Sequence, residues 1–438
     1  MKRKVTRRRF LEGSAAAGLA VAAVPSILSA KSPNEKLNIA CIGVGGRGRA
    51  DLAGVKSENI VALCDLNGKN LARAAKSHPK AKTYVDWRKC LEQKDIDAVV
   101  CATTDHTHAF INMWAMNRDK HVYCEKPLAN SVQEARLVRD TYLKKSSKIA
   151  TQHGTQIHAS DNYRRVVELI RGGAIGTPLS VRIWCSRMPK GGDYLPAVKP
   201  VPADVNWDLW VGPSPMHPYN PAYFGSCLTW NRFWDFGSGQ IGDMGSHMMD
   251  LAAWGFDLGI ASSCKATGSA QSSATVPTWL TSEWEHPAND WRPAVKAYWY
   301  DGGKKPGVPS GVFNRDKMFK GVIFKGKNGS IVADYSYRIM MMTGDMTHYK
   351  APKPEELIPR SPGHHKEWII ACKTGKPTTC NFDYAGKFIE NNMLALAAYR
   401  VGKKLAWDAT GKSLKSVGCP QADQYIKKTY RKGWVLNG

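Results

Sequence analysis

Six residues between positions 43 and 48 have the types and the spacing of a nucleotide-binding turn. They read Gly43-Val44-Gly45-Gly46-Arg47-Gly48. In this pattern the first glycine permits a tight turn, the second lets the backbone approach a pyrophosphate, and the third lets a helix pack on the preceding strand. The N-terminus of that helix would face the phosphates, and Arg47 could add a charge-assisted hydrogen bond. The segment therefore predicts a dinucleotide site.

An acidic residue follows at the distance that such a site requires. Asp65 comes directly after the apolar run 60–64, seventeen residues beyond Gly48. A carboxylate at that point hydrogen-bonds the ribose hydroxyls and repels a 2′-phosphate, so NAD is favoured over NADP. The alternative is that Asp65 is an ordinary cap at the end of a strand.

The elements that must position these residues alternate between strands and helices. Apolar, strand-like runs occupy 37–42, 60–64, 97–103, 121–124 and 148–151, and helical patterns occupy 108–117 and 132–144. This alternation predicts an α/β domain, a doubly wound parallel sheet of Rossmann type, over residues 35–155. Ligands bind beyond the carboxyl ends of such strands. The polar residues placed there are Thr103, Thr104, His106, Glu125 and Lys126.

After residue 156 the pattern changes. A helix is predicted over 161–170, and helices again over 364–373 and 384–401. Strand-like runs occur at 181–186, 279–285, 294–300, 321–324 and 331–333. Turns such as Asp301-Gly302-Gly303 separate them. We therefore expect residues 156–438 to form an α+β domain with a large, open and mostly antiparallel sheet.

Three polar side chains in this pattern could take part in acid–base chemistry, although each has a simpler interpretation. Asp243 and His247 are four residues apart, so on a helix they would share one face. Lys126 follows Glu125 at the end of a strand. The alternatives are a helix-surface pair and a solvated charge pair. A metal site from His106, His108 and His247 lacks a clear set of acidic ligands, so no metal is expected.

Several motifs together carry a family resemblance. They are Glu125-Lys126-Pro127, Asp105-His106-Thr107-His108, Gly154-Thr155-Gln156, Gly176-Thr177-Pro178-Leu179 and the Asp-x-Gly-x-His-x-x-Asp run that ends at Asp250. With the glycine turn, they resemble the glucose–fructose oxidoreductase, inositol dehydrogenase and MocA (Gfo/Idh/MocA) family over nearly the whole mature chain. One departure is Thr103-Thr104, where the family usually has Thr-Pro.

The resemblance implies roles for individual residues. It places Lys126, Asp243 and His247 in a catalytic group. Oxidation of a carbinol by hydride transfer needs a base and a group that stabilises the alkoxide. His247 suits the base because a free imidazole titrates near neutrality, Asp243 would hold that imidazole, and Lys126 would donate to the substrate oxygen.

The expected cofactor is NAD. The residues predicted to bind it are Gly43, Gly45, Gly46, Arg47, Gly48, Asp65, Thr103, Thr104, His106, His108, Glu125, Lys126 and Gln156. The expected substrate is a sugar or glycoside, and the family's open sheet implies a homo-oligomer. The residues predicted to touch substrate are Lys126, Arg187, Tyr223, Trp230, Trp234 and His247. Core packing is the alternative for the tryptophans.

The N-terminal residues 1–30 resemble a twin-arginine (Tat) export signal. A basic segment that contains Arg7-Arg8-Arg9-Phe10-Leu11 precedes an apolar stretch over 14–30. Export by the Tat machinery to the periplasm would carry out a folded protein with NAD already bound tightly. The alternative is an uncleaved membrane anchor. None of the eleven cysteines has Cys-x-x-Cys spacing, so we expect buried free thiols formed in the reducing cytoplasm.

Composition leaves three function classes open. The net charge is +25, but no arginine-rich tract or zinc-finger spacing accompanies it, so a nucleic-acid partner is not expected. A basic surface for anionic glycans or membranes is a milder interpretation. The first hypothesis is an NAD-dependent dehydrogenase of sugars, glycosides or polyols. The second is a redox-neutral, NAD-dependent glycosidase, and the third is a non-catalytic sugar- or nucleotide-binding module.

Overall fold

The structure is a computed structural model that describes residues 35–307, 317–344, 346–347, 349 and 351–437. The predicted export signal at 1–30 lies outside these residues. Within the described chain, no helix has both the length and the apolar run that crossing a membrane takes. All eleven cysteines are among the described residues, and each is a free thiol, as predicted.

The first sheet has six parallel strands in the order β3-β2-β1-β4-β5-β6. The strands are β1 (Asn38–Ile42), β2 (Asn59–Cys64), β3 (Lys82–Tyr84), β4 (Ala98–Cys101), β5 (His121–Glu125) and β6 (Thr151–Gly154). The helices between them are α1 (Gly46–Gly54), α2 (Gly68–Ser77), α3 (Trp87–Cys90), α4 (Asp105–Asn117) and α5 (Val132–Lys145). This strand order is that of dinucleotide-binding Rossmann domains, and the predicted fold class is confirmed.

The uninterrupted apolar runs reflect a sheet that is covered on both faces. In β1, Ile39 and Cys41 belong to one core, whereas Ala40 and Ile42 belong to the core on the other face. Successive side chains of a strand point to opposite faces, so a strand buried on both sides needs apolar residues at every position.

The second sheet has eight strands in the order β13-β12-β11-β7-β10-β9-β8-β14. All neighbours are antiparallel except β7 and β10. The strands are β7 (Pro178–Cys185), β8 (Ser263–Gly268), β9 (Leu280–His286), β10 (Val295–Tyr300), β11 (Lys320–Gly326), β12 (Gly329–Ala333), β13 (Arg338–Met342) and β14 (Leu405–Ala406). The mostly antiparallel sheet was predicted from the sequence, but β8, β13 and β14 were not.

Helices of the second half cover this sheet and also reach back to the first. They are α6 (Asp161–Arg171), α7 (Trp207–Val211), α8 (Cys227–Trp230), α9 (Gly239–Phe256), α10 (His364–Thr374), α11 (Phe382–Val401) and α12 (Asp423–Ile426). Trp368 and Ile369 of α10 pack in the same core as Ile39 of β1. The chain after residue 156 therefore contributes to the packing of both sheets. The two predicted domains thus share core residues across the boundary near residue 156.

A buried ion pair joins the two halves at α5 and α11. The Arg136 guanidinium donates to both carboxylate oxygens of Glu390, with an Nε–Oε2 distance of 2.7 Å. The side chains are 1% and 0% exposed. Arg136 also donates to the carbonyl oxygens of Gly411 and Ser413, and the Trp407 indole donates to Glu390. Every charge in this cluster therefore has a hydrogen-bonding partner.

Helix α9 carries two of the three predicted catalytic residues and is buried along almost its whole length. Close packing requires a small residue where it passes β11, because a Cβ atom on Gly255 would lie 2.8 Å from the ring of Phe324. Its apolar, glycine-containing sequence thus fixes α9 between the sheet and α11, and this placement sets where Asp243 and His247 lie.

Candidate active site

The turn between β1 and α1 is a cradle that accepts only glycine at its key positions. Gly43 has φ +80°, and its amide donates to the Cys64 carbonyl at 2.8 Å. A Cβ atom on Gly48 would lie 1.9 Å from the Gly43 carbonyl oxygen. The backbone is therefore free to approach a diphosphate, which fits the cofactor predicted from the sequence.

A cavity of about 610 Å³ opens beside this turn, beyond the carboxyl ends of the parallel strands. One wall comes from the first sheet and the other from the segment around α7 and α8. Of the predicted cofactor residues, the lining includes Gly43, Gly45, Gly46, Arg47, Asp65, Thr103, Thr104, Glu125, Lys126 and Gln156. From the second half it includes Trp210, Phe224, Cys227, Trp230 and His247. The cavity has a size typical of small-molecule and cofactor sites.

Asp65 lies at this cavity and also organises the glycine turn. Its Oδ2 accepts hydrogen bonds from the amides of Val44 and Gly45 at 3.0 and 3.1 Å, and its Oδ1 accepts one from the Asn67 amide at 2.9 Å. Burial raises the pKa of Asp65, and these hydrogen bonds to the charged form oppose that rise. The predicted contact with ribose stays a prediction.

Arg47 and Glu125 form a charged group at the floor of the cavity. The Arg47 guanidinium lies 3.2 Å from Glu125 and 3.1 Å from Asp51, so it binds carboxylates of the protein itself. Gln156 donates to Glu125 and to the Tyr123 hydroxyl. Burial, with a further contribution from Asp51, raises the pKa of Glu125 to about 8. Arg47 and Lys126 oppose this rise, because they favour the charged carboxylate.

His106 and His108 do not line the cavity, in contrast to their predicted cofactor role. A ring nitrogen of His106 lies 2.9 Å from the Trp210 carbonyl oxygen, and burial lowers its pKa to about 4. His108 lies between the carbonyl oxygens of Pro127, at 2.7 Å, and Thr103, at 3.2 Å. Both side chains are buried against these carbonyl oxygens, and helix α4 begins at Asp105, before the predicted start at 108. They position the turns that line the cavity.

Lys126 lies at the cavity in an ion pair with Asp243, whose other carboxylate oxygen binds Arg187 at 2.9 Å. Burial favours a neutral amine, but the Asp243 carboxylate outweighs it and raises the pKa of Lys126. Burial likewise opposes the charge of Asp243, yet Lys126 holds its pKa below the usual range. Neither Asp243 nor Arg187 is part of the cavity lining; Asp243 contacts Lys126, and Arg187 contacts Asp243.

His247 lines the cavity, and Thr155 rather than Asp243 holds its imidazole. Nδ1 lies 2.9 Å from the Thr155 hydroxyl, and Nε2 has no hydrogen-bond partner among the described residues. The expected Asp243 hydrogen bond is absent there because the carboxylate is engaged with Lys126 and Arg187. Burial, followed by Lys126, lowers the pKa of His247 to about 3. The neutral imidazole is therefore favoured near pH 7.

Among the predicted substrate residues, Trp230 lines the cavity, whereas Tyr223 and Trp234 do not. Tyr223 is fully buried, and its hydroxyl accepts from the Leu195 amide at 3.0 Å. Trp234 donates to the Ser272 carbonyl at 3.0 Å. Trp234 is therefore a core residue, which was the alternative considered for the tryptophans. Tyr223 is a core residue as well. Thr155 and Asp105 were missed as site residues, although both lie inside motifs quoted from the sequence.

A segment of the second half bridges the cavity to the loop that follows Asp65. The Gly68 amide donates to the Asp204 carbonyl at 2.7 Å, the Asn206 amide donates to the Leu66 carbonyl at 3.0 Å, and Asn67 and Val205 form an antiparallel bridge. Leu66 and Val205 pack against the same aromatic cluster. We call residues 202–206 the strap, since they join the two sides of the cleft. No sequence pattern indicated it.

Two family models match this chain. The first, an oxidoreductase family with an NAD-binding Rossmann fold, matches residues 37–154. The second, the C-terminal α/β domain of the same oxidoreductase family, matches residues 160–287. Together they span both walls of the cavity.

Known relatives and solved structures resemble the chain in sequence and in fold. Inositol 2-dehydrogenase of Klebsiella pneumoniae is 30% identical over 36% of this chain and 48% of its own length. Levoglucosan dehydrogenase of Pseudarthrobacter phenanthrenivorans is 28% identical over 50% of this chain and 51% of its own. The matched regions thus span about half the length of these curated relatives.

The likeness to solved structures extends over most of the chain. The WlbA dehydrogenase of Bordetella pertussis, solved with NADH and UDP-GlcNAcA, has a TM-score of 0.61 at 14% identity and covers 86% of this chain and 98% of its own. A levoglucosan dehydrogenase, solved with NADH and levoglucosan, has a TM-score of 0.58 at 19% identity and covers 84% and 98%. These likenesses establish the two-domain fold.

Proposed function

The chain belongs to the Gfo/Idh/MocA family of NAD-binding oxidoreductases, and on that premise we propose that it is an NAD-dependent dehydrogenase of sugars, glycosides or polyols. The observation that carries this proposal is the arrangement of one cavity. Its lining includes residues of the glycine cradle together with Lys126 and His247. A hydroxyl that contacts both side chains would lie within the same cavity as the nucleotide.

The side chains of this cavity suit the oxidation of a hydroxyl. When bound, NAD supplies the hydride acceptor. His247 is neutral, and a proton on Nδ1 donated to Thr155 would leave the lone pair of Nε2 for the substrate hydroxyl proton. The Lys126 ammonium, held by Asp243, donates to the oxygen as negative charge develops on it. In the reverse direction the same groups protonate a keto oxygen.

The relatives support a polyhydroxylated substrate. Two of them are named for inositol and for levoglucosan, and both compounds carry several neighbouring hydroxyls. The direct test is to purify the protein, add such compounds, and follow the redox state of the cofactor. A sugar-dependent change supports the dehydrogenase. Release of chromophore from a chromogenic glycoside, with no net change of the cofactor, would instead support the redox-neutral glycosidase.

We propose that the protein is exported with its cofactor already bound and that it retains this cofactor tightly. The signal-like residues 1–30 support passage to the periplasm by the Tat route. The eleven free thiols, ten of which are buried, fit folding in a reducing compartment. The strap supports retention of the cofactor. A nucleotide bound in the cleft would leave only after the strap had broken its own hydrogen bonds to the loop that follows Asp65. A second substrate would then reset the cofactor in place.

Locking the strap should slow the exchange of NAD. Asn67→Cys and Val205→Cys place two thiols on a bridged pair, where a disulfide is geometrically reasonable. We expect the oxidised double variant to exchange bound NAD against labelled NAD at least about tenfold more slowly than wild type, and reduction to restore the wild-type rate.

Single-cysteine variants provide the control for the locked strap. Asn67 caps helix α2 by accepting from the amides of Lys69 and Asn70, so its loss alone costs about 1 kcal/mol of stability. The single variants should show this cost without slower exchange. Equal exchange rates in the oxidised and reduced double variant would contradict a retaining role.

Assembly through the open sheet is also proposed. The face of that sheet opposite the main core carries an apolar cluster of Trp184, Met318, Ile323, Val332 and Met341. The members of this cluster are themselves buried, but Phe319 beside them is 49% exposed, and we propose this ring as the contact. Light scattering should report a multiple of the chain mass. Phe319→Glu should shift it toward the monomer, whereas Leu143→Glu on helix α5 should leave it unchanged.

A further inference from the structure

Asp105 is a buried acidic residue of the cavity that the mechanism above does not use. It is the first residue of α4, is 5% exposed, and lines the cavity together with Lys126, Cys227 and Trp230. Burial raises its pKa to about 6, although the Trp230 hydrogen bond and Lys126 oppose the rise. The carboxylate is therefore largely charged at pH 7 in a place with little water.

The hydrogen bonding of Asp105 is incomplete. The Trp230 indole donates to Oδ1 at 3.0 Å. Across the described residues, no other side chain donates to this carboxylate and no cation forms an ion pair with it. The nearby Lys126 ammonium is bound to Asp243 instead. A charged carboxylate can accept several hydrogen bonds, so Asp105 in the cavity lining can take a further donor besides the Trp230 indole.

The surroundings indicate which donor would fill it. Asp105 is held by Trp230 of α8, on the wall opposite the glycine cradle, and its negative charge repels a diphosphate. A neutral hydroxyl can donate a hydrogen bond to this carboxylate, which is already removed from water. The lysine that would hold the reacting oxygen lines the same part of the cavity. A molecule with two neighbouring hydroxyls could reach both groups.

We propose that Asp105, positioned by Trp230, is a specificity-determining residue that accepts a hydrogen bond from a second hydroxyl of the substrate, beside the hydroxyl held by Lys126. This inference rests on the proposed function, and it narrows the substrate to compounds with neighbouring hydroxyls. A deoxy analogue that lacks the second hydroxyl should bind more weakly by roughly 10–100-fold, because the desolvated carboxylate then loses the hydrogen bond that this hydroxyl donates.

The test measures sugar binding by calorimetry in the NAD-loaded protein, so that it does not depend on turnover. The probe is whichever of myo-inositol, levoglucosan and D-glucose binds wild type most tightly. In Asp105→Asn we expect a Kd about 10–100-fold higher with unchanged NAD content. Trp230→Phe, which keeps a ring but loses the donor, should give a smaller rise. Asp161→Asn, a matched acid at the start of α6 outside the cavity, should change nothing.

The pH dependence supplies a second readout. The charged form of Asp105 accepts the hydroxyl, so sugar affinity should fall as the pH drops below about 6 in wild type. Other titratable groups of the cavity lining are Lys126, Cys227, Glu125 and His247, with Asp243 behind the lysine. The pKa values of the first two are raised above their usual values and that of Asp243 is lowered below its own. The affinity of Asp105→Asn should stay level over the same range.

The outcomes separate the two proposals. Unchanged sugar affinity in Asp105→Asn overturns the subsite, even if wild type is a dehydrogenase. Loss of NAD from this variant with normal sugar affinity also overturns it and assigns Asp105 to the nucleotide. Sugar binding by wild type that depends on Asp105 but never reduces NAD supports the subsite and rejects the dehydrogenase. A wild-type protein that binds none of the three compounds contradicts both.

Discussion

Lys126→Ala is expected to lower kcat by roughly 10²–10³-fold while the protein still purifies with NAD. Among the described residues that line the cavity, Lys126 is the cation paired with Asp243. Removing one hydrogen-bond donor to a developing oxyanion lowers kcat by about this factor. The effect should fall on kcat more than on KM, because the alkoxide charge develops in the transition state. Steady-state kinetics on the reactive sugar checks this.

Two companion measurements make the Lys126 result interpretable. The exposed Lys89→Ala, which removes only a surface pair with Glu92, should leave kcat unchanged. Melting temperatures should show whether the unpaired Asp243 carboxylate also weakens the fold. Full activity of Lys126→Ala would show that this lysine is not catalytic. Loss of NAD in this variant would show that it serves the nucleotide instead.

Arg136→Ala is expected to reduce the free energy of unfolding by about 3–5 kcal/mol, the largest stability effect among the changes considered. It leaves the Glu390 carboxylate, 0% exposed, without its guanidinium partner, and an unpaired buried charge is strongly destabilising. Urea unfolding followed by circular dichroism measures the change. Loss of less than about 1 kcal/mol would show that water or another donor replaces the guanidinium.

A double variant separates the charge from the packing. In Arg136→Met with Glu390→Gln, no buried charge remains, so much of the lost stability should return relative to Arg136→Met alone. Arg139→Ala provides a matched comparison on the same helix, since its pair with Asp383 is partly exposed at 16% and 30%. Its loss should cost about 1 kcal/mol or less.

The nucleotide half of the site could be predicted because its signals are local. The glycine turn, the strand before it and Asp65 lie within thirty residues of each other, and each residue type has a direct backbone reason. The same holds for the alternation of strands and helices. Strand β14 was missed because it has two residues and pairs with the distant strand β8.

For the catalytic half of the site, the sequence predicted which residues take part but not which side chains contact each other. Family resemblance supplied Lys126, Asp243 and His247, and a helical spacing suggested that Asp243 holds His247. The carboxylate instead binds Lys126, which is 117 residues away, and Thr155 holds the imidazole. Such partners are set by where α9 lies relative to the residues that follow β5 and β6, and no periodicity within one segment reports that. Burial of His247 beside an ammonium also could not be read from spacing.

The return of α10 and α11 to the first sheet has a consequence for biosynthesis. Trp368 shares a core with Ile39, and Glu390 pairs with the buried Arg136. The first half therefore keeps incomplete contacts until residues as far as Glu390 have been synthesised. Nascent N-terminal domains that finish early usually fold alone, whereas this one has to wait for α10 and α11.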